Sequence, residues 1–162
     1  MSFSTPVYPV VWQNDHVRLI DQTRLPTEYS VVEIKLCSDM AAAIKTMIVR
    51  GAPAIGVAAA YGLYLGAREI PATEPTQFLT ALEEVAQTLA ATRPTAVNLF
   101  WALSRMLKVA KSTPGSVEQI QARLLDEAHA IAAEDLQTCQ AIGQHGLSIL
   151  PQTREKLRLL TH

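Results

Sequence analysis

Residues 44–62 read Ile44-Lys45-Thr46-Met47-Ile48-Val49-Arg50-Gly51-Ala52-Pro53-Ala54-Ile55-Gly56-Val57-Ala58-Ala59-Ala60-Tyr61-Gly62. The first part of this run closes a helix that opens at Ser38 as N-cap, with Asp39 behind it to complement the helix dipole. Ala41, Ile44, Met47 and Ile48 recur at helical spacing and carry that helix to Val49. Arg50-Gly51 breaks the pattern, and Pro53 stands where the first position of a new helix belongs, so a second helix is expected to run to about Arg68. Gly51, Gly56, Gly62 and Gly66 are interleaved with alanines along it. Glycine costs about 1 kcal/mol against alanine inside a helix, so this many small residues point to close packing on several sides.

Toward the N-terminus, residues 17–21 and 29–35 are rich in Val, Ile, Leu and Tyr, with Pro26 and polar residues between them. This predicts a small antiparallel hairpin. Toward the C-terminus, Phe78, Leu82, Val85 and Leu89 form one apolar stripe of a third helix over residues 76–91. A fourth helix is expected after Pro94-Thr95, ending near Lys111, and Thr113-Pro114-Gly115 then breaks the chain. Ser116 with Gln119 makes a capping box for a fifth helix, buried through Ile120, Leu124, Ala128 and Ile131 and expected to reach His145 with Gly146 as C-cap. After Pro151 the period changes, and Leu157, Leu159 and Leu160 suit a buried strand. The expected fold class is therefore mainly α with a small N-terminal antiparallel β hairpin, an α+β arrangement. The expected division is a hairpin region over 1–37, a helical domain over 38–150, and the first strand of a further, missing α/β sheet over 151–162.

Apolar residues make up 49% and charged residues 18% of the 162, which is ample for a core that buries roughly 70% of the unfolded surface. Lys and Arg total 14 against 15 Asp and Glu, so no general field attracts nucleic acid or acidic membrane, and neither is expected as a partner. Cys37 and Cys139 lack the spacing of a zinc site or disulfide framework, which implies a reducing, cytoplasmic setting. Residues 1–11 have no signal-peptide pattern. Residues 51–67 are uncharged but built of Ala and Gly, and fall short of the roughly 20 apolar residues that a membrane span needs.

Any anion site must then be local, and Arg50-Gly51-Ala52-Pro53 is its first candidate. A helix start exposes unpaired N–H groups and partial positive charge, small residues let a ligand oxygen approach, and a guanidinium can grip it with two parallel bonds. Val57 and Ala58 stand where a Walker motif needs Lys and Ser or Thr, and no GxGxxG occurs, so nucleoside triphosphate is not indicated. Two readings stand for Arg50, a phosphate ligand or a surface arginine beside a helix break. Arg93 favours the first, because Thr92-Arg93-Pro94-Thr95 again places an arginine ahead of a proline-marked helix start, with Asn98 one turn later. His16, His129, His145 and His162 lack metal-ligand spacing and read as surface or satisfied structural residues. Trp12 suits either a pocket wall or a hairpin anchor. Glu134-Asp135 shows no titratable partner and reads as a solvated face, while Cys139 reads as a small core residue rather than a nucleophile.

The run 44–62 closely resembles the signature of methylthioribose-1-phosphate isomerases. Supporting similarities are Leu19-Ile20-Asp21-Gln22-Thr23 with Leu25-Pro26, Arg93-Pro94-Thr95-Ala96-Val97-Asn98-Leu99, and Ile142-Gly143 with His145-Gly146. The resemblance implies a cytoplasmic, homodimeric enzyme of methionine salvage that interconverts 5-methylthioribose 1-phosphate and 5-methylthioribulose 1-phosphate without metal or redox cofactor. It implies substrate contacts at Arg50, Gly51, Ala52 and Arg93. It places the catalytic cysteine and aspartate beyond His162, with the rest of a Rossmann-like domain that the last strand begins, so no catalytic residue is expected within this chain and the chain alone is expected to be inactive. The related regulatory subunits of translation initiation factor two-B are the non-catalytic alternative, and a ribose 1,5-bisphosphate isomerase is the neighbouring enzymatic one.

Overall fold

The computed structural model describes residues 7–151 and 158. Three strands, β1 (Val10–Gln13), β2 (His16–Ile20) and β3 (Val31–Ile34), form an antiparallel sheet in the order β1-β2-β3. The expected hairpin is the β2–β3 pair, in register from Val17 opposite Ile34 to Ile20 opposite Val31. The additional strand β1 joins β2 through the two-residue loop Asn14-Asp15, where Asn14 takes a left-handed conformation (φ 57°) that asparagine tolerates better than most residues. Trp12 anchors the sheet to the helices, stacking on Tyr61 at 5.6 Å and meeting Tyr64 edge-on at 5.4 Å.

Five helices follow: α1 (Cys37–Lys45), α2 (Ala52–Glu69), α3 (Pro75–Ala90), α4 (Val97–Ser112) and α5 (Val117–Ile149). Their boundaries correct three expectations. Ser38 lies inside α1 and caps nothing; the Cys37 N–H instead donates to the Glu69 carboxylate at 2.8 Å, a cap supplied by the far end of α2. Helix α1 also stops at Lys45, four residues early. Met47 adopts φ 65°, and the Ile48 N–H reaches back to the Ala43 carbonyl at 3.0 Å while the Met47 N–H reaches Ile44, the paired bonds of a Schellman motif. Gly146 does not end α5, which continues to Ile149 and stops at Leu150, where the following Pro151 disfavours a helical residue (φ −71°, ψ 139°).

Helix α2 is the centre of the core. Ile55, Ala58, Ala59, Leu63, Leu65 and Ala67 are buried together with Tyr61, Gly56, Gly62 and Gly66, so every side of the helix faces protein, as its small residues imply. Tyr61 donates or accepts a 3.0 Å hydrogen bond with His129 of α5, and Gln121 of α5 donates to the Ala67 carbonyl at 2.8 Å. The two contacts run in opposite sequence directions, so α2 and α5 are antiparallel. His129 is thereby a satisfied structural histidine. Beyond Ile131 no described residue of α5 is buried: Leu136, Ile142, Leu147 and Ile149 are exposed, and so is Cys139, contrary to its reading as a core residue. The helix, at 33 residues, outruns the bundle it packs against. Among the described residues, no helix is long and apolar enough to cross a membrane. The strand expected at Leu157, Leu159 and Leu160 lies outside the described residues.

The packing of α2 predicts opposite responses at two glycines. A Cβ at Gly66 would collide with Val85 Cγ1 and lie 3.2 Å from the Cys37 sulfur, whereas a Cβ at Gly143 would meet nothing within 4 Å. Gly66→Val is expected to destabilise by about 1–3 kcal/mol through overpacking, and Gly143→Ala to be neutral or to stabilise by up to about 1 kcal/mol. Urea-unfolding midpoints check both; an unchanged midpoint in Gly66→Val would contradict the close approach.

Candidate anion-binding site at two helix starts

The start of α2 is built by a chain that leaves one helix and enters another within six residues. After Met47 closes α1, Val49 is fully buried and pins the segment, while Arg50, Gly51, Ala52 and Pro53 are exposed. Gly51 is the N-cap with φ 87°, a backbone angle that favours glycine, and a Cβ there would meet nothing within 4 Å. The conformation requires glycine and the space beside it is open. Its carbonyl accepts the first helical bond, from the Ile55 N–H at 3.0 Å, and no side chain caps the helix. Pro53 has no N–H to leave unpaired.

Residues Arg93-Pro94-Thr95-Ala96 form a separate turn, with the Ala96 N–H donating to the Arg93 carbonyl at 3.0 Å, and α4 begins only at Val97. Pro94 thus occupies the second position of a turn rather than the first position of the helix, a place that its fixed φ also suits. Arg93 is half-buried. Ala96 provides no side-chain cap, and neither α2 nor α4 has an acidic residue in its first turn. By contrast α1 receives Glu69, and α5 carries the complete Ser116–Gln119 capping box with Glu118 in its first turn. Helix α3 also lacks a side-chain cap, but it does not follow an arginine.

The two uncapped starts lie side by side. A Cβ at Gly56, in the second turn of α2, would come within 3.1 Å of the Asn98 carbonyl oxygen in the first turn of α4. Pro53 and Val57 of α2, Asn98 and Trp101 of α4, and Ile131, Glu134, Asp135 and Thr138 of α5 together line a cleft of about 270 Å³. Because the starts of both α2 and α4 meet the same stretch of α5, their positive dipole ends share one end of the bundle.

One of the two acidic residues in this cleft, Glu134, is held by a cation. Arg105 of α4 holds Glu134 through two bonds, one at 2.7 Å, holds Glu127 as well, and stands over the Trp101 ring. That guanidinium holds the Glu134 carboxyl below its usual range. Glu134 therefore has the titratable partner that its local sequence did not reveal. Burial pushes the Asp135 carboxyl up from its ordinary value. Arg50 and Arg93 themselves form no ion pair among the described residues.

One contributor has no chemical signal in the sequence. The Gln22 N–H donates to the Ile48 carbonyl at 3.0 Å, and Gln22 Nε2 donates to the Arg50 carbonyl at 3.4 Å. Asp21 is buried beside it and accepts from the Thr23 N–H at 3.0 Å and the Thr23 hydroxyl at 2.6 Å. The Thr23 hydroxyl, with smaller help from its N–H and from Arg24, holds the Asp21 carboxyl below the usual range. Among the described residues, no group of three or more His, Cys, Asp or Glu side chains could hold a metal ion. Buried Cys37, whose thiol burial pushes up to about 11, is not poised as a nucleophile.

Comparison with known proteins agrees with this architecture. A Nostoc species has a protein named methylthioribose-1-phosphate isomerase that is 70% identical over 96% of this chain, and one from Acaryochloris marina is 65% identical over 99%. The chain spans 45% of the length of each. Among solved structures, 5-methylthioribose 1-phosphate isomerase from Pyrococcus horikoshii OT3 is similar at a TM-score of 0.83, with 41% identity over 88% of this chain and 40% of that one. The delta subunit of translation initiation factor eIF-2B from A. fulgidus is similar at 0.74, also with 41% identity, over 81% of this chain and 38% of that one. The profile described as the Initiation factor 2 subunit family matches residues 48–162, beginning just after α1 and including both helix starts, and the chain therefore belongs to the initiation factor 2 subunit family.

Proposed function

We propose that this chain is the N-terminal, substrate-binding part of an aldose–ketose isomerase that converts 5-methylthioribose 1-phosphate to 5-methylthioribulose 1-phosphate in methionine salvage. The observation that carries the reading is the pair of adjacent, uncapped helix starts, each preceded by an arginine, in a chain 70% identical to a protein named as that isomerase. Arg50 and Arg93 supply charge, Gly51 and Ala52 supply close backbone approach, and the helix ends supply N–H donors to the substrate phosphate. This part binds and orients the sugar phosphate; the groups that move its protons belong to polypeptide beyond these 162 residues. The complete enzyme works as a cytoplasmic homodimer without metal or redox cofactor.

A regulatory subunit of the translation factor is the second reading, favoured by the likeness to the A. fulgidus delta subunit. Such a subunit has no need of paired arginines at open helix starts, and the 70% identity that supports the isomerase reading is shared with the Nostoc relative, the two solved structures being alike at 41%. The outcome of a turnover assay separates the two. The 162-residue chain alone is expected to show no turnover of 5-methylthioribose 1-phosphate, whereas a chimera that joins it to the remaining length of the Nostoc relative is expected to be active. Turnover by the isolated chain would overturn the assignment of catalysis to the other part, and an inactive but folded chimera would favour the regulatory reading.

Within the active chimera, Arg50→Ala and Arg93→Ala are each expected to lower kcat/KM by about tenfold to a hundredfold. A charge-assisted bond contributes about 1.5–3 kcal/mol, and each 1.4 kcal/mol is a factor of ten. Lysine at either position should restore activity only in part, because a point charge lacks the two-pronged grip. Unaltered steady-state kinetics in both alanine variants would return these arginines to ordinary surface residues.

A further inference from the structure

We infer that the turn Asp21-Gln22-Thr23 is a positioning element for substrate binding, with Gln22 setting the place of Arg50 and Asp21 setting the place of Gln22. The inference rests on the reading of Arg50 as a phosphate contact. Arg50 sits in a segment, residues 46–51, that is neither helix nor strand, and within it lies between two left-handed residues, Met47 at φ 65° and Gly51 at φ 87°. Backbone bonds to α1 reach only as far as the Ile48 N–H, and an arginine at the exposed end of the segment would range widely if the main chain did. The bonds to the Ile48 and Arg50 carbonyls both come from Gln22, one through its main-chain N–H and one through its side chain. They fall on either side of Val49, whose side chain is fully buried. Three consecutive residues are thus held by two hydrogen bonds and a core anchor.

Gln22 needs a support of its own, because β2 ends at Ile20. Asp21 provides it. The Asp21 N–H donates to the Ser30 carbonyl at 3.0 Å, closing the loop against the chain that leads into β3, and its carboxylate draws in the Thr23 N–H and hydroxyl, with Arg24 Nε at 3.4 Å. Burying a carboxylate is costly unless donors surround it, and here the donors come from the two residues that follow Gln22 and turn it toward Ile48 and Arg50. The turn touches neither helix start directly. It acts through Arg50, which makes Gln22 and Asp21 positioning residues and not catalytic ones.

A double-mutant cycle in the active chimera tests this. Gln22→Met removes the side-chain donor at similar length and should lower kcat/KM by about two- to tenfold, mainly through KM, with an unchanged unfolding midpoint. The same substitution should have no further effect in an Arg50→Ala background, yet keep its full effect in an Arg93→Ala background. Should Gln22→Met fail to fold, Gln22→Asn, whose reach is one methylene shorter, carries the same expectations. An equal factor in the Arg50→Ala and Arg93→Ala backgrounds, or wild-type kinetics in the single variant, would overturn the positioning role while leaving the phosphate contact standing. Wild-type kinetics in Arg50→Ala would remove the phosphate contact, and the positioning role with it.

Discussion

Helix α2 is packed against α1, α3, α4, α5 and the sheet at once, and so it must be narrow. The neighbours reach its backbone at successive turns: Asn98 at Gly56, Met40 and Leu89 at Gly62, Cys37 and Val85 at Gly66, with Trp12 and His129 meeting it at Tyr61. Close approach of this kind multiplies dispersion contacts that are individually small, and leaves no room for a side chain to relax into. A helix so constrained cannot shift along its axis without opening several interfaces together. Its two ends are therefore defined places, the C-terminal one bonded to α1 through Glu69 and the N-terminal one held beside α4.

That rigidity gives the N-terminal end its chemistry. The chain carries almost no net charge, so an anion is not drawn by a general field. What the fold offers is a local concentration of positive partial charge: α2 and α4 begin at the same end, without caps and without acidic residues in their first turns. Carboxylates on α5 stand nearby, and one of them, Glu134, is tied to Arg105. Arginines on the approaches to both starts add full charges with freedom to reach. Two of the other three helices, α1 and α5, are closed by Glu69 and by the Ser116–Gln119 box, while α3 is open but follows no arginine.

Much of this was legible in residue order. The close packing of α2 followed from its glycines and alanines, the capping box of α5 from Ser116 and Gln119, and the β2–β3 pair from two β-rich stretches around a polar loop. The misplacements share a cause. Ser38 looked like a cap, but the donor at Cys37 is satisfied by a carboxylate 32 positions away. Met47 and Ile48 kept helical spacing past the true end of α1, because the Schellman motif turns Ile48 back against the core that the helix faces, while Met47 stays exposed. Gly146 resembled a C-cap, but α5 runs on until Pro151 stops it. Cys139 resembled a core residue because periodicity marks a face of a helix and does not say how far the neighbouring helices extend.

The sequence by itself determined which segments are helical, which helix is buried on all sides, and that an arginine precedes two of the helix starts. Those properties depend on local backbone preference and on side-chain size, both of which are written residue by residue. Only the tertiary structure decided that these two starts lie at one end of the bundle, that Arg105 ties up Glu134 across 29 positions, and that Gln22 holds the main chain of Arg50 across 28. Such contacts join elements whose separation along the chain carries no periodic signal. They form because burying α2 brings distant segments to a common place, where backbone groups left without partners must find them.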